Sequence, residues 1–537
     1  MYILALVILI FFGAKLLQSG IDRDSTLRQS VGVLLLLMTA GLFVLMDIWG
    51  EWLWFVSQGY ESRFWRLLLA QVAAVLGGGL LAGGMGFILA LYAGTHLRRL
   101  VAGIGVLAGV VWGLQHYLLL QLFIYGVATD TVEPMLQLHT SFYLFILPLL
   151  DSVFWLLLFV ASVALMAALL VWEFGGGIRF RHVVEMQGHR LVLPMANAGF
   201  AWVLGAGMVL GVFHLLYSAW GVVQGPGWVD VHVLYPALLI VALGYVLVGL
   251  LPLFGGFRRS MSQKLDHWLA VRRSAIAAMA VVWSSIALVS LLVLVVVPVL
   301  VQWLVVKPNE ISFEKPYIAN NIDFTRQGFR LDKIEAKAFT ASKSFDRKTI
   351  ENNQNLLSEV RLWDWRALDA VYRQFQEIRL YYEFVDVDID RYTIGDRYRQ
   401  VMVSARELAQ DNLPLQSQTF VNKRIKYTHG YGYTAAAVSD FTEQGLPNLL
   451  VKDIPPVASA LELAVTRPEI YYGELTTEPV IVNTQEAEFD YPSGDNNVYT
   501  RYQGEGGVRL SNFWRKLLFG WKFDGSVLLF SSYPTTE

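Results

Sequence analysis

Eight apolar stretches fill the first 301 residues, and they constrain the fold more than any other feature. They run over 2–17, 31–49, 67–92, 101–125, 142–172, 198–220, 233–251 and 275–301. A helix needs about 20 apolar residues to cross the hydrocarbon of a bilayer. Backbone polar groups find no partner in lipid, so the stretches are expected to be helices that satisfy their own hydrogen bonds. The first is the shortest and lacks a basic lead, which fits a span better than a secretory signal. Only 16% of the 537 residues are charged, against roughly 25% in soluble proteins, and the deficit lies almost wholly before Val305. Two regions follow: a helical membrane bundle over 1–301 and a soluble domain over 302–537.

Basic residues set the expected orientation. The loops after the first, third, fifth and seventh stretches carry twelve Arg or Lys, from Arg23 to Arg273; the alternate loops carry two, Arg63 and Arg66. Such an excess stays in the cytoplasm, so both termini and the soluble domain are expected outside. The net charge of -2 excludes the basic surface a nucleic-acid partner requires. With no cysteine, disulfides, thiolate metal sites and a cysteine nucleophile are excluded as well.

Polar side chains within spans are costly and therefore informative. His116 and Asp151 each lie nine residues from the outer ends of successive stretches, about 14 Å deep at the helical rise. They are expected to pair, with His214 entering the same level from another helix. Interhelical hydrogen bonding is the better reading of this set, and an ion path the sharper one. Six glycines from Gly77 to Gly86 predict close helix packing, and the rings in Trp49-Gly-Glu-Trp-Leu-Trp-Phe55 an interfacial belt.

Beyond Lys307 the pattern changes. Asp364 followed by Leu368, Val371, Tyr372, Phe375 and Ile378 predicts a capped amphipathic helix. Alternation over 385–390 predicts a strand, and 401–405, 479–483 and 527–530 are further strands, so the soluble domain is expected to be α+β. An amphipathic piece covers 513–519. The chain stops at Glu537 just after a strand, which suggests truncation. Asp386, Asp388 and Asp390 share one strand face, about 6.6 Å apart; without a calcium-loop pattern they are expected to be solvated, and no metal is expected. His429, within Tyr427-Thr-His-Gly-Tyr-Gly-Tyr433, is the one soluble-domain candidate for acid–base chemistry near neutral pH, though a satisfied turn histidine is the simpler reading.

Together several strings resemble a bacterial uncharacterised protein family, the one numbered zero-one-eight-two: Glu51-Trp-Leu-Trp-Phe55, Gly225-Pro-Gly-Trp-Val-Asp230, the run from Glu314 to Arg326, that from Arg399 to Leu408, Tyr427 to Gly432, Thr466 to Glu474 and Glu488-Phe-Asp-Tyr-Pro492. The resemblance covers the chain from about Asp47. It implies an α-helical membrane bundle of seven core spans, with the first span here as an extra one, followed by a soluble α+β extracytoplasmic domain in the plasma membrane. It also implies further chain beyond Glu537. It brings no activity, cofactor or catalytic residue. The expected partners are the lipid bilayer and another envelope component: a protein, a lipid or a glycan. The leading reading is an envelope binding or scaffold protein. The rivals are a transporter or channel using His116, Asp151 and His214, and an enzyme acting on lipid or glycan through His429.

Overall fold

The computed structural model describes residues 2–174, 189–256, 275–341, 345–494 and 496–535. Eight helices in it are long and apolar enough to cross a membrane, one for each apolar stretch. The first seven are α1 (Tyr2–Asp22), α2 (Thr26–Ser57), α3 (Glu61–Leu89), α4 (Thr95–Tyr125), α5 (Leu147–Phe174), α6 (His189–His214) and α7 (Tyr235–Leu250). The eighth opens with α8 (Ala275–Leu291) and runs on without a break into α9 (Glu310–Gly328). It outlasts its apolar stretch because a helix persists wherever its own hydrogen bonds are made, whether or not its surface is apolar. The basic segments 175–188 and 257–274, which carry most of the orientation signal, lie outside the described residues.

The chain forms two compact units, residues 65–338 and residues 1–64 with 339–537. In the first, α3 and α4 meet along facing glycines. A Cβ on Gly109 would run into the Gly78 carbonyl, and one on Gly113 would lie 2.5 Å from the Val75 backbone. Gly77 and Gly84, on the same helix as Gly78, have nothing within 4 Å. Close backbone approach through small residues is how helices associate in lipid, where no hydrophobic driving force separates helix from solvent. Gly109→Val is therefore expected to cost at least the upper end of the roughly 1–3 kcal/mol typical of overpacking. Thermal denaturation of the detergent-solubilised chain should show a marked loss, with Gly84→Val unchanged. Equal melting of the two variants would remove the seam from this account.

In the other unit, α1 and α2 pack as a hairpin through a similar contact: a Cβ on Gly32 would lie 2.6 Å from the Leu17 backbone nitrogen. The C-terminal region is built on a six-stranded antiparallel sheet ordered β1 (Tyr382–Phe384), β3 (Arg397–Leu408), β5 (Tyr433–Phe441), β6 (Pro447–Lys452) and β7 (Val457–Ala458), with β2 (Asp388–Ile394) also on β3. Both faces of its centre are covered. Met402, Ala436 and Val438 lie under the helix α10 (Trp365–Gln376); Val401, Ala435 and Val451 form the opposite layer with Leu463. That explains the unbroken apolar runs at 401–403 and 435–438, since a strand buried on both sides has no polar face to alternate. Asp364 caps α10 as expected, accepting from Arg366 N–H at 2.9 Å. Leu368 and Tyr372 are fully buried, whereas Phe375 and Ile378 are exposed.

Two expected strands do not form. The 479–483 segment is irregular, joined to its neighbour by the Ile481 N–H to Arg424 carbonyl bond at 2.7 Å. Residues 527–530 are helical, in α12 (Ser526–Phe530). Gly525, at φ +60°, turns the chain after α11 (Phe513–Phe519) so that Leu528 packs on Leu53, Leu518 and Phe519. A four-residue apolar run does not distinguish strand from helix. Around α11, the Tyr2 hydroxyl donates to the Leu517 carbonyl at 2.7 Å, and Trp521 packs against Tyr2 and Phe43.

Candidate functional site

The polar residues of the long apolar helices pair differently from the expectation. Asp151 on α5 meets His214 at the end of α6, Oδ1 to Nε2 2.9 Å. His116 instead bonds within its own helix, Nδ1 to the Trp112 carbonyl at 3.0 Å, with its ring stacked on Trp112. Depth arithmetic places residues at a level but does not say which way they face. Asp151 and His116 take different partners.

His429 is where three segments converge. Gly430 and Tyr431 form β4, paired with β8 (Glu469–Ile470), and β9 (Glu488–Ser493) runs beside them in a hairpin with β10 (Asn496–Thr500). Glycine is required at 430, where a Cβ would strike the backbone of Arg406 and Glu407, and at 432, where φ is +69°. This turn drives His429 inward until its side chain is fully enclosed. Its Nδ1 lies 2.9 Å from the Thr428 hydroxyl and its Nε2 3.4 Å from Asp490 Oδ1. The Thr428 hydroxyl donates to Glu488 Oε2 at 2.7 Å, the Tyr471 hydroxyl to the same oxygen at 2.8 Å, and Tyr502 N–H to Oε1 at 2.9 Å. Glu488 is thus a buried carboxylate with three donors from three segments. Burial, then the Glu488 charge, raises the Tyr471 phenol well above its ordinary value. An enclosed imidazole does not reach a substrate directly; here it helps to hold the network.

Arg406 lies close by, on β3, and is fully buried. It bonds to neutral oxygens rather than to a carboxylate: the Gln376 carbonyl at 2.8 Å, the Tyr431 carbonyl at 2.9 Å and the Thr434 hydroxyl at 3.3 Å. Gln376 ends α10, whose C-terminal carbonyls carry partial negative charge, so the guanidinium ties that helix to the His429 turn. Burial pulls its pKa down to about 10. Sequence reasoning does not single out Glu488 or Arg406 as site residues, although both stand in strings that carry the family resemblance.

Two open clefts border this core. One, of about 370 Å³, is lined by Tyr471, Tyr472, Tyr502, Arg467, Arg501 and the Gln503-Gly504 backbone among others. Its floor is fixed, because Tyr471 and Tyr502 stack edge to face at 4.8 Å over Glu488. Arg501 is held by the Thr484 carbonyl at 2.7 Å. The other, of about 450 Å³, is acidic, with Asp386, Asp388, Glu407, Glu462 and Glu474 around Tyr392 and Tyr433. Asp386, Asp388 and Asp390 are all exposed. The strand begins at Asp388 rather than Val385, so Asp386 lies in the connection before it. Among the described residues, no three His, Asp or Glu side chains gather as a metal shell.

The profile of the uncharacterised protein family UPF0182 matches residues 29–537. The chain belongs to this family. A UPF0182 protein of Desulforamulus reducens is 40% identical over 414 residues, 76% of this chain and 42% of that one. Those of Sulfurovum sp. and Synechococcus sp. are 34% and 35% identical, over 94% and 93% of this chain and 56% and 61% of theirs. The chain thus spans about half the length of the curated relatives it matches. No solved structure matches it. The UPF0182 strings from 399–408, 427–432, 466–474 and 488–492 meet in the Arg406, His429, Tyr471 and Glu488 cluster, which gives the resemblance a physical centre.

Proposed function

We propose that this UPF0182 chain is a plasma-membrane protein that displays its C-terminal region outside the cytoplasm and binds an envelope glycan there. The observation that carries the reading is the tyrosine cleft. Three phenol rings and two guanidinium groups around about 370 Å³ suit a sugar, whose apolar ring faces stack on aromatic surface while its hydroxyls and carboxylates take polar partners. Tyr471 and Tyr502 are fixed from behind, so little side-chain entropy is lost on binding. The excess of basic residues in alternate loops supports the outward side. The enclosure of His429 favours binding over hydrolysis. The Asp151–His214 pair supports a second reading, a transporter, because a polar pair within a span is costly unless it is used.

The test is co-sedimentation of the purified, detergent-solubilised chain with isolated cell-wall glycan. Binding is expected, and Tyr472→Ala, which removes the most exposed of the three rings, should weaken it about tenfold, or ~1.4 kcal/mol. Absence of binding by the unaltered chain, or binding indifferent to Tyr472, would sink the glycan reading.

A further inference from the structure

In the unit formed by residues 65–338, two buried carboxylates from distant parts of the chain converge on one peptide segment. Gly227 N–H donates to Asp230 Oδ2 at 2.9 Å, and Trp228 N–H faces both oxygens of Glu314 at 3.3 Å. Each acid is 1% exposed. Asp230 Oδ1 is buried and accepts no hydrogen bond among the described residues. The arrangement is firmly built. Asn321 of α9 donates to the Gln224 carbonyl at 2.6 Å, and Phe313 packs edge-on against the Trp228 ring. The backbone widens into a π-helical turn at Asp230–Leu234, a distortion frequent at functional sites.

The charges here do not balance. The start of a helix supplies roughly half a positive charge, and the Trp228 bonds to Glu314 are long. No Lys or Arg side chain among the described residues is placed against either acid. Burying an ionised carboxylate without a counter-charge is strongly unfavourable, so a positive species belongs beside the free Asp230 oxygen. We propose that Asp230 and Glu314 hold a divalent cation of the calcium class. Such ions take six to eight oxygens, and with no third carboxylate gathered with these two into a ligand group among the described residues the remainder are neutral. The Ser218 hydroxyl stands beside Asp230, and carbonyls of the Leu216–Val223 turn lie in the same loop. Glycine at 227 keeps the space clear: a Cβ there would lie 3.1 Å from Glu314 Oε2. Two charged ligands in a mostly neutral shell give an affinity in the range of about 10⁻⁴–10⁻³ M, as in extracellular calcium modules.

The experiment uses terbium as a calcium surrogate on the full chain in detergent near neutral pH. Trp228 borders the site and serves as the sensitiser. The expected result is indole-sensitised emission that saturates, is displaced by calcium, and needs roughly tenfold more terbium or greater in Asp230→Asn and Glu314→Gln, each of which removes one of the two charges. Trp228→Phe should dim the emission while leaving calcium affinity, read by calorimetry, unchanged. Should either acid variant fail to fold, Ser218→Ala supplies the test, with weaker calcium binding expected. Emission or calcium affinity untouched by all of these changes would overturn the proposal. So would stabilisation of the unaltered chain by mild acid with no response to calcium, which would make the missing positive charge a shared proton.

Discussion

Glu488→Ala is expected to destabilise the C-terminal region by about 3–5 kcal/mol, the range for removing one partner from a buried charged network. Thr428, Tyr471 and Tyr502 would each lose an acceptor, the Thr428 hydroxyl in a fully buried position, and an unsatisfied buried donor costs about 1–3 kcal/mol. A stable domain has only about 5–15 kcal/mol in hand, so this change approaches complete unfolding. Glu488→Gln should cost less, because it keeps one acceptor oxygen and the volume. Urea unfolding of the detergent-solubilised chain, followed by tryptophan fluorescence and by protease susceptibility of the 345–535 region, measures both. Asp388→Ala, on the exposed strand face, should leave the midpoint where it was. A Glu488→Ala midpoint equal to that of Asp388→Ala would show that the network contributes nothing to stability.

Alkali should unfold the same region early. Burial raises the phenols of Tyr372, Tyr382 and Tyr431, and that of Tyr381 up to about 12. A group whose folded pKa is raised contributes stability that is whole below its unfolded value, near 10 for tyrosine, and is lost as pH climbs towards the folded one. Arg406 acts in the opposite sense: pulled down to about 10, it binds its proton less tightly when folded and so favours the fold as pH rises. Each group that titrates in only one state changes stability by about 1.4 kcal/mol per pH unit. Counting only the buried Tyr372, Tyr382 and Tyr431 against the one arginine, the net loss is roughly 3 kcal/mol per unit above pH 11. Unfolding before pH 12 is expected, with tyrosine ionisation in the near-ultraviolet coincident with loss of circular dichroism. Ionisation of all tyrosines near pH 10 in a chain that stays folded would contradict it.

The helices were legible because an apolar run marks itself residue by residue, and one of about 20 residues has little else it can become. The capped helix beginning at Asp364 was legible for a similar reason, since cap and periodicity are local. What escaped depends on direction and convergence. Equal depth suggested His116 for Asp151, yet the side chain turns to His214, because rotation about a helix axis is set by neighbours that no depth reveals. The run at 527–530 carries strand formers, and Gly525 with the apolar contacts of Leu528 decided for a helix. The Glu488 network was hidden most completely. Its donors stand 60, 17 and 14 residues away, and only the folded chain shows that they share one carboxylate.

The bond from the Tyr2 hydroxyl to the Leu517 carbonyl joins groups 515 residues apart, and that separation is also an interval of time. A ribosome adding roughly 5–20 residues each second presents the second partner about half a minute or more after the first. Throughout that interval the α1–α2 hairpin sits without its cover. The contact of Gly32 with the Leu17 backbone lies wholly between these two helices and is available as soon as both are made. The order of synthesis thus divides the unit into a hairpin that holds itself together early and a cap that arrives late. A chain halted anywhere between the two would carry the paired helices with their aromatic end uncovered, the kind of transiently exposed apolar surface that promotes aggregation.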